Sequence, residues 1–382
     1  LNVKKSFPPL PEPLIKLEVE KVVEKLSKEP IVCKRLTKYK KMMNLVLNKC
    51  YPSGLSISNR LPSKSASFLQ KKEHFGVVYD VSSFQYEPEF LGYIRNGLKT
   101  QPVYTHFPDA DLPFLLKEIY DARTSVKLEP LKVRTLTINE GQIAYNGSLL
   151  QPSLWKGLQK LEVFKAVGND IHSSDNFSFL KGTGKMVSGD FSGATDSIPS
   201  YITKLWGDGL ASRSDDPEVS LILNEVLKPC NIYSDKQNGQ FKSHVLQKTG
   251  QLMGNPLSFP LLCLHNLVVY LMSCPDRIKY DFENLPVRIN GDDIVFKEVY
   301  PSQFNTWSIY VNYFGWTLSP GKNYRSNEFF VFNNMLGLRQ RVDKIKMITY
   351  PNIKGIFFKS TVNCKNQRSL INGKLEKNDQ ER

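Results

Sequence analysis

The stretch Arg288–Phe296, RINGDDIVF, governs the reading of the whole chain. Val287, Ile289, Ile294, Val295 and Phe296 are strand formers, and Asn290-Gly291 between them is a strong hairpin-turn signal. A turn explains the glycine. It does not explain two adjacent carboxylates, Asp292 and Asp293, beside apolar strands. An exposed hairpin tip is the plain alternative.

A third acid on another strand end changes the balance. In Ser188–Trp206, SGDFSGATDSIPSYITKLW, Met186-Val187 lead as a strand into Asp190. Ile198, Tyr201, Ile202, Leu205 and Trp206 then recur at i, i+3, i+4, i+7 and i+8, the apolar stripe of an amphipathic helix. Pro199 falls in its first turn, where proline is tolerated. Asp190 therefore reads as a turn residue at a strand end and Asp196 as a helix-start residue, where aspartate is also a favoured cap. Acids from two separate hydrophobic elements suit a shared hard cation, because Mg²⁺ takes carboxylate and phosphate oxygens. Two such ions about 3.5–4 Å apart activate a hydroxyl and stabilise a leaving oxygen.

Bulk properties agree with a polyanionic partner. The chain has 382 residues, with 51 Lys and Arg against 37 Asp and Glu, a formal charge of +14. Such an excess favours nucleic acid first and an anionic membrane surface second. The six cysteines (Cys33, Cys50, Cys230, Cys263, Cys274, Cys364) are scattered without a zinc spacing and suit a reducing compartment. No apolar stretch reaches membrane-span length, and no signal peptide is visible.

The periodicity predicts helices at 14–26, 34–49, 112–123, 154–166, 197–206, 217–228, 257–272 and 301–314. It predicts strands around a turn at 135–143, at 185–191 and 241–247, in the opening hairpin, and from 329 to 348; residues 52–75 read as loop. The class is α+β.

Three stretches in order, GDFSGATD, GQLMGNPLSFPLLCLHN and INGDDIVF, resemble motifs A, B and C of viral RNA-dependent RNA polymerases, in particular those of ourmia-like viruses, related to narnaviruses and mitoviruses. The resemblance runs from about residue 60 to 336. It implies a right-hand polymerase with an antiparallel palm sheet, and template-directed nucleotide addition with two Mg²⁺ ions, for which Mn²⁺ substitutes. By the same resemblance Asp190 and Asp292 are the main metal ligands, with Asp293 auxiliary or just outside. Asp196 lies near the ribose of the incoming NTP. Gly250 and Gly254 permit close backbone approach to the template. Asn255 and Ser258 are candidates for polar contacts to the nucleotide, and one of them for the cap of the following helix. His265 and Asn266 read as core residues.

Leu131–Gly141 resembles motif F. Its Lys132 and Arg134 alternate onto one strand face, and by the resemblance they would clamp the triphosphate. Ser319–Phe329 resembles motif D, with Lys322 as the general acid toward pyrophosphate. Phe329–Asn334 would be the motif E hairpin. Pro62–Gly76 resembles the template-entry motif G, with Ser63, Ser65 and Lys71 on template phosphates. The implied division is an N-terminal extension at 1–28, fingers at 29–180, palm at 181–211, a fingers insertion at 212–245, palm at 246–336 and a partial thumb or tail at 337–382. The partners expected are single-stranded RNA template, nascent RNA and NTPs, at a site in the host cytoplasm rather than the mitochondrion.

Two rival readings remain at this stage. A reverse transcriptase shares the palm but usually carries an aromatic residue before its paired aspartates, where this chain has Asn290-Gly291. A dead viral relic would bind RNA without turnover. The chain begins at Leu1 rather than Met, and little of it follows motif E, which reads as a fragment or a minimal thumb.

Overall fold

The computed structural model describes residues 11–83 and 118–348, apart from positions 34, 75, 130, 131, 170, 172, 235, 238, 239, 242 and 243. Two helices open it, α1 (Glu12–Ser27) and α2 (Leu36–Cys50), followed by the short α3 (Gly76–Ser83). A four-stranded sheet in the order β2-β1-β4-β7 comes next, built from β1 (Tyr120–Glu129), β2 (Lys132–Asn139), β4 (Cys230–Tyr233) and β7 (His244–Leu246). A minor hairpin, β5 (Lys236–Gln237) with β6 (Gln240–Phe241), lies between the last two in sequence.

The second sheet has the order β10-β3-β9-β8 and holds the quoted stretches. Its strands are β3 (Met186–Gly189), β8 (Val287–Asn290), β9 (Asp293–Lys297) and β10 (Tyr324–Ser326), and every pairing is antiparallel. The remaining helices are α4 (Gly141–Leu158), α5 (Ser200–Ala211), α6 (Pro217–Val226), α7 (Ser258–Ser273), α8 (Asp276–Lys279) and α9 (Gln303–Tyr313). A third sheet, β11 (Phe329–Phe332), β12 (Met335–Arg341) and β13 (Lys344–Ile348), closes the described chain.

Both faces of the second sheet are covered, which is why β3 and β9 read as nearly continuous apolar runs. Val187, Ile294 and Phe296 pack into the large core with α5, α7 and α9. Met186 and Val295, on the opposite face, pack with Phe177, Leu180, Phe330, Phe332 and Ile345. Helix α7 is apolar all round because it is buried all round: of its 16 residues only Phe259 is not buried.

Four expectations need correction. Residues 120–123 are strand, not helix; 112–117 lie outside the described residues. Tyr120 and Ala122 alternate into the core while β1 pairs parallel with β4, more than a hundred residues away. Gly141 does not close a hairpin but starts α4, so the helix expected at 154–166 begins earlier and stops at Leu158. Pro199 is the N-cap position of α5 rather than a residue of its first turn. Asp196 lies in a separate 3-10 turn, Thr195–Ser197, and caps nothing. Of the expected thumb or tail at 337–382, residues up to 348 form β12 and β13; the rest lie outside the described residues.

Candidate active site

Strand register assembles the acids. β3 pairs with β9 so that Gly189 faces Ile294, and one step further Asp190 comes opposite Asp293. β10 pairs with β3 so that Tyr324 faces Ser188, and two residues before Tyr324 the Lys322 side chain reaches the Asp190 carboxylate. Asn290 faces Asp293 across the hairpin. A row across three strand ends therefore reads Asp190, Asp293, Asn290, with the Lys322 ammonium against Asp190.

The hairpin turn differs from the one expected. Asn290 is the last paired residue of β8, so the loop residues are Gly291 and Asp292. Gly291 has φ +67°, and Asp292 is not among the positive-φ residues. This is the pattern of the hairpin turn that needs glycine first. It frees Asp292 for the tip while Asp293 starts the next strand.

Two residues of α7 hold this turn from beneath. Asn266 Nδ2 donates to the Gly291 carbonyl at 3.0 Å, and the Gly291 N–H donates to Cys263 Sγ at 3.3 Å. Both side chains are fully buried. Asn266 is thus structural, as expected, but its partner is the turn that carries the acids. Its signal was legible: an amide inside an otherwise apolar helix must find a partner.

Asp190 is held as closely. Asn323 Oδ1 accepts from the Asp190 N–H at 3.1 Å, while Asn323 Nδ2 donates to the Asp190 carbonyl at 3.2 Å. Sequence reasoning missed Asn323, whose partner is 133 positions away. Lys322 Nζ lies 3.2 Å from Asp190 Oδ2. The ammonium is well exposed, so this pair alone contributes little to stability.

Burial pushes the Asp293 carboxyl up to about 7, the charges of Asp292 and Asp190 add to the rise, and Lys322 opposes it. Among the described residues no three His, Cys, Asp or Glu side chains are drawn together tightly enough to ligate one ion as they stand. The donor chemistry nevertheless fits a hard divalent cation: three carboxylates act on one another at one sheet edge, with one exposed ammonium as countercharge.

Asp196 is buried on the neighbouring turn, its carboxyl raised to about 6 by burial and lowered by Lys25 and a hydrogen bond with Thr195. The glycine-rich loop before α7 packs onto this turn: Gly250 N–H donates to Ile198 O at 2.7 Å and Gln251 N–H to Thr195 O at 2.8 Å. A Cβ on Gly250 would lie 2.8 Å from Asp196 O, and one on Gly254 would lie 1.8 Å from Thr137 O on β2. The close approach demanded of both glycines is thus met by protein backbone.

Asn255 and Ser258 are likewise engaged within the protein. Asn255 Nδ2 donates to Val226 O and its Oδ1 accepts from Leu257 N–H; Ser258 Oγ donates to Leu252 O. Neither caps α7, whose N-cap position is Leu257. A cavity of about 630 Å³ opens behind this loop, between α5 and α6, and none of Asp190, Asp292 and Asp293 lines it.

Arg134 is exposed on β2, and Lys132 starts that strand; the Lys132 side chain lies outside the described residues. Ser63, Ser65 and Lys71 are all exposed. Their loop is fastened to the first sheet, since Phe68 N–H donates to Asn139 O and Arg123 donates to Phe68 O and Ser67 O.

This architecture is the fold of viral RNA-dependent RNA polymerases. The chain aligns with the crystal structure of the human picorbirnavirus enzyme at a TM-score of 0.57 and 13% identity, over 97% of this chain and 68% of that one. A Sicinivirus polymerase aligns at 0.53 and 14% identity, over 87% and 75%.

In sequence the chain is similar to the RNA-dependent RNA polymerase of Ourmia melon virus, 28% identical over 377 aligned positions, 88% of this chain and 44% of the relative. It is also 26% identical to the RNA-directed RNA polymerase of the Saccharomyces 23S RNA narnavirus, over 62% of this chain and 26% of that protein. These relatives agree with an ourmia-like, narnavirus-related polymerase. The chain spans less than half the length of either. No family model matches.

Proposed function

We propose that the chain performs template-directed RNA synthesis from NTPs. The observation that carries this reading is the row of Asp190 and Asp293 with Asp292 at the adjoining turn, on the sheet edge of a polymerase fold. Asp190 and Asp292 would hold divalent cations, Mg²⁺ or Mn²⁺, with Asp293 alongside. When bound, such ions lower the pKa of the attacking hydroxyl and neutralise charge on the leaving phosphate.

The chain's own residues supply the rest. Asn266, Cys263 and Asn323 fix the backbone that carries the acids, so little reorganisation is needed at the moment of reaction. Lys322 would leave Asp190 when a cation takes its place, and its ammonium would then be free to protonate pyrophosphate. Arg134 and Lys132 would bind the triphosphate and Asp196 would lie beside the sugar. Ser63, Ser65 and Lys71 would track the template. Gly250, Gly254, Asn255 and Ser258 would shape the loop that supports it.

The test is RNA synthesis on a short single-stranded RNA with NTPs and Mg²⁺ or Mn²⁺, comparing the chain with Asp292→Ala. Removing several kcal/mol of charge stabilisation predicts a loss of at least roughly 100-fold. Silence in both proteins, with RNA binding intact, would overturn the reading. Incorporation of dNTPs in preference to NTPs would favour a reverse transcriptase.

A further inference from the structure

Helix α1 is not a free extension. The backbone N–H groups of Lys248 and Thr249, leading into the glycine-rich loop, donate to Leu26 O at 2.8 and 3.0 Å. A Cβ on Gly250 would meet the Leu26 side chain at 2.5 Å. From the same helix end, Lys25 Nζ donates to Ser192 O at 2.9 Å and to Gly193 O at 3.3 Å. Those carbonyls belong to the short link between Asp190 and Asp196.

Gly193 stands between two charges: a Cβ there would lie 2.7 Å from Lys25 Nζ and 3.4 Å from Asp196 Oδ2. No residue of the link itself supplies a cation. The ammonium that neutralises this turn therefore comes from a helix 168 positions earlier in the chain.

We propose that Lys25 is a positioning residue for the Asp190–Asp196 link, fixing where Asp196 meets the nucleotide and so how strongly the site prefers one sugar over another. This rests on the polymerase reading given above. The physical argument is one of competition. Ser197 Oγ also donates to Gly193 O, at 2.8 Å, and Ser192 N–H is tied to Thr317 O, but among the described residues the Ser192 carbonyl has its side-chain donor from Lys25; without it that carbonyl would turn to water and the middle of the link would loosen. A charge-assisted donor anchored on a docked helix removes that freedom and places a positive charge next to a buried carboxylate. Burial disfavours the ionised form of Asp196, and the Lys25 ammonium, with a hydrogen bond from Thr195, opposes that.

The experiment uses the full chain with Lys25→Met, Lys25→Arg and, as a control on the same helix, Lys21→Met; Lys21 is exposed and pairs with Glu18. The first readout is hydrogen–deuterium exchange of peptides covering 190–197 and 258–273, which needs no activity. Lys25→Met should speed exchange in 190–197 roughly tenfold while 258–273 stays protected, and Lys25→Arg should restore most of the protection.

The second readout is kcat and KM for single-nucleotide addition with an NTP and with the matching dNTP. Loss of folded protein scales both substrates alike, so it cancels in their ratio. The Lys25→Met ratio of kcat/KM should fall roughly tenfold toward dNTP, chiefly through KM for the NTP, with Lys21→Met unchanged. Unchanged exchange in 190–197, or a lower melting temperature with an unaltered substrate ratio, would overturn the proposal. If the parent makes no RNA the polymerase reading fails by itself, and the exchange result still decides whether Lys25 holds the link.

Discussion

At the scale of single residues, the site is an arrangement of carboxylates held by amides. Asn266→Ala would leave the Gly291 carbonyl buried without its donor, a cost of about 1–3 kcal/mol. Denaturant unfolding should show that loss, and nucleotide addition should fall beyond what the folded fraction explains. Asn323→Ala should act similarly through the Asp190 peptide groups.

A second residue-scale prediction concerns His265. Trp206 Nε1 donates to the Tyr39 hydroxyl, which lies 2.6 Å from His265 Nδ1, and burial lowers the imidazole to about 3. The unfolded chain protonates near 6.5. A depressed folded value means the stabilisation is fully present above pH 6.5 and is lost as pH falls from there toward 3, by about 1.4 kcal/mol per unit. Asp293 and Asp196, held high by burial, act in the opposite sense from about pH 7 down to 4. His265 and the two carboxyls thus oppose each other in the parent, so between pH 7 and 5.5 the urea midpoint should rise further in His265→Leu than in the parent.

At the scale of elements, the glycine-rich loop joins the two larger sheets. A methyl at position 254 would collide with Thr137 O of β2, so Gly254→Ala must push the loop off that strand. We expect a lower melting temperature and at least roughly tenfold slower RNA synthesis, measured side by side.

Elements whose evidence is local were legible in the sequence: the hairpin at 287–297, the amphipathic α5 and the apolar α7. β1 was not, because LPFLLKEIYDAR carries a helical spacing and the strand is decided by pairing with distant β4. α4 was not either, since it opens on Gly141 and contains Pro152, both poor helix residues. The acids could be found from motif spacing. Asn323 and Lys25 could not, since each acts on a segment more than a hundred residues away.

At the scale of the whole molecule, the implied division into fingers and palm does not divide the core. One cluster runs from Leu26 through the first sheet and α4 to Trp316. The acid row therefore projects from a sheet clamped between this core and a smaller one, which suits a site whose charges must not shift. The smaller core is centred on three aromatics in contact, Phe177, Phe330 and Phe332, joined by Leu180 and Ile345, and backed by Met186 and Val295.

That asymmetry has a thermal consequence. The outer cover of β11–β13 rests on the sheet through few large side chains, whereas the inner helices are buried on every side. Heat should therefore be absorbed in two stages, with a shoulder in the calorimetric trace before the main peak. The calorimetric enthalpy should exceed the van't Hoff value of the main peak, and Phe330→Leu should move the shoulder while leaving that peak in place.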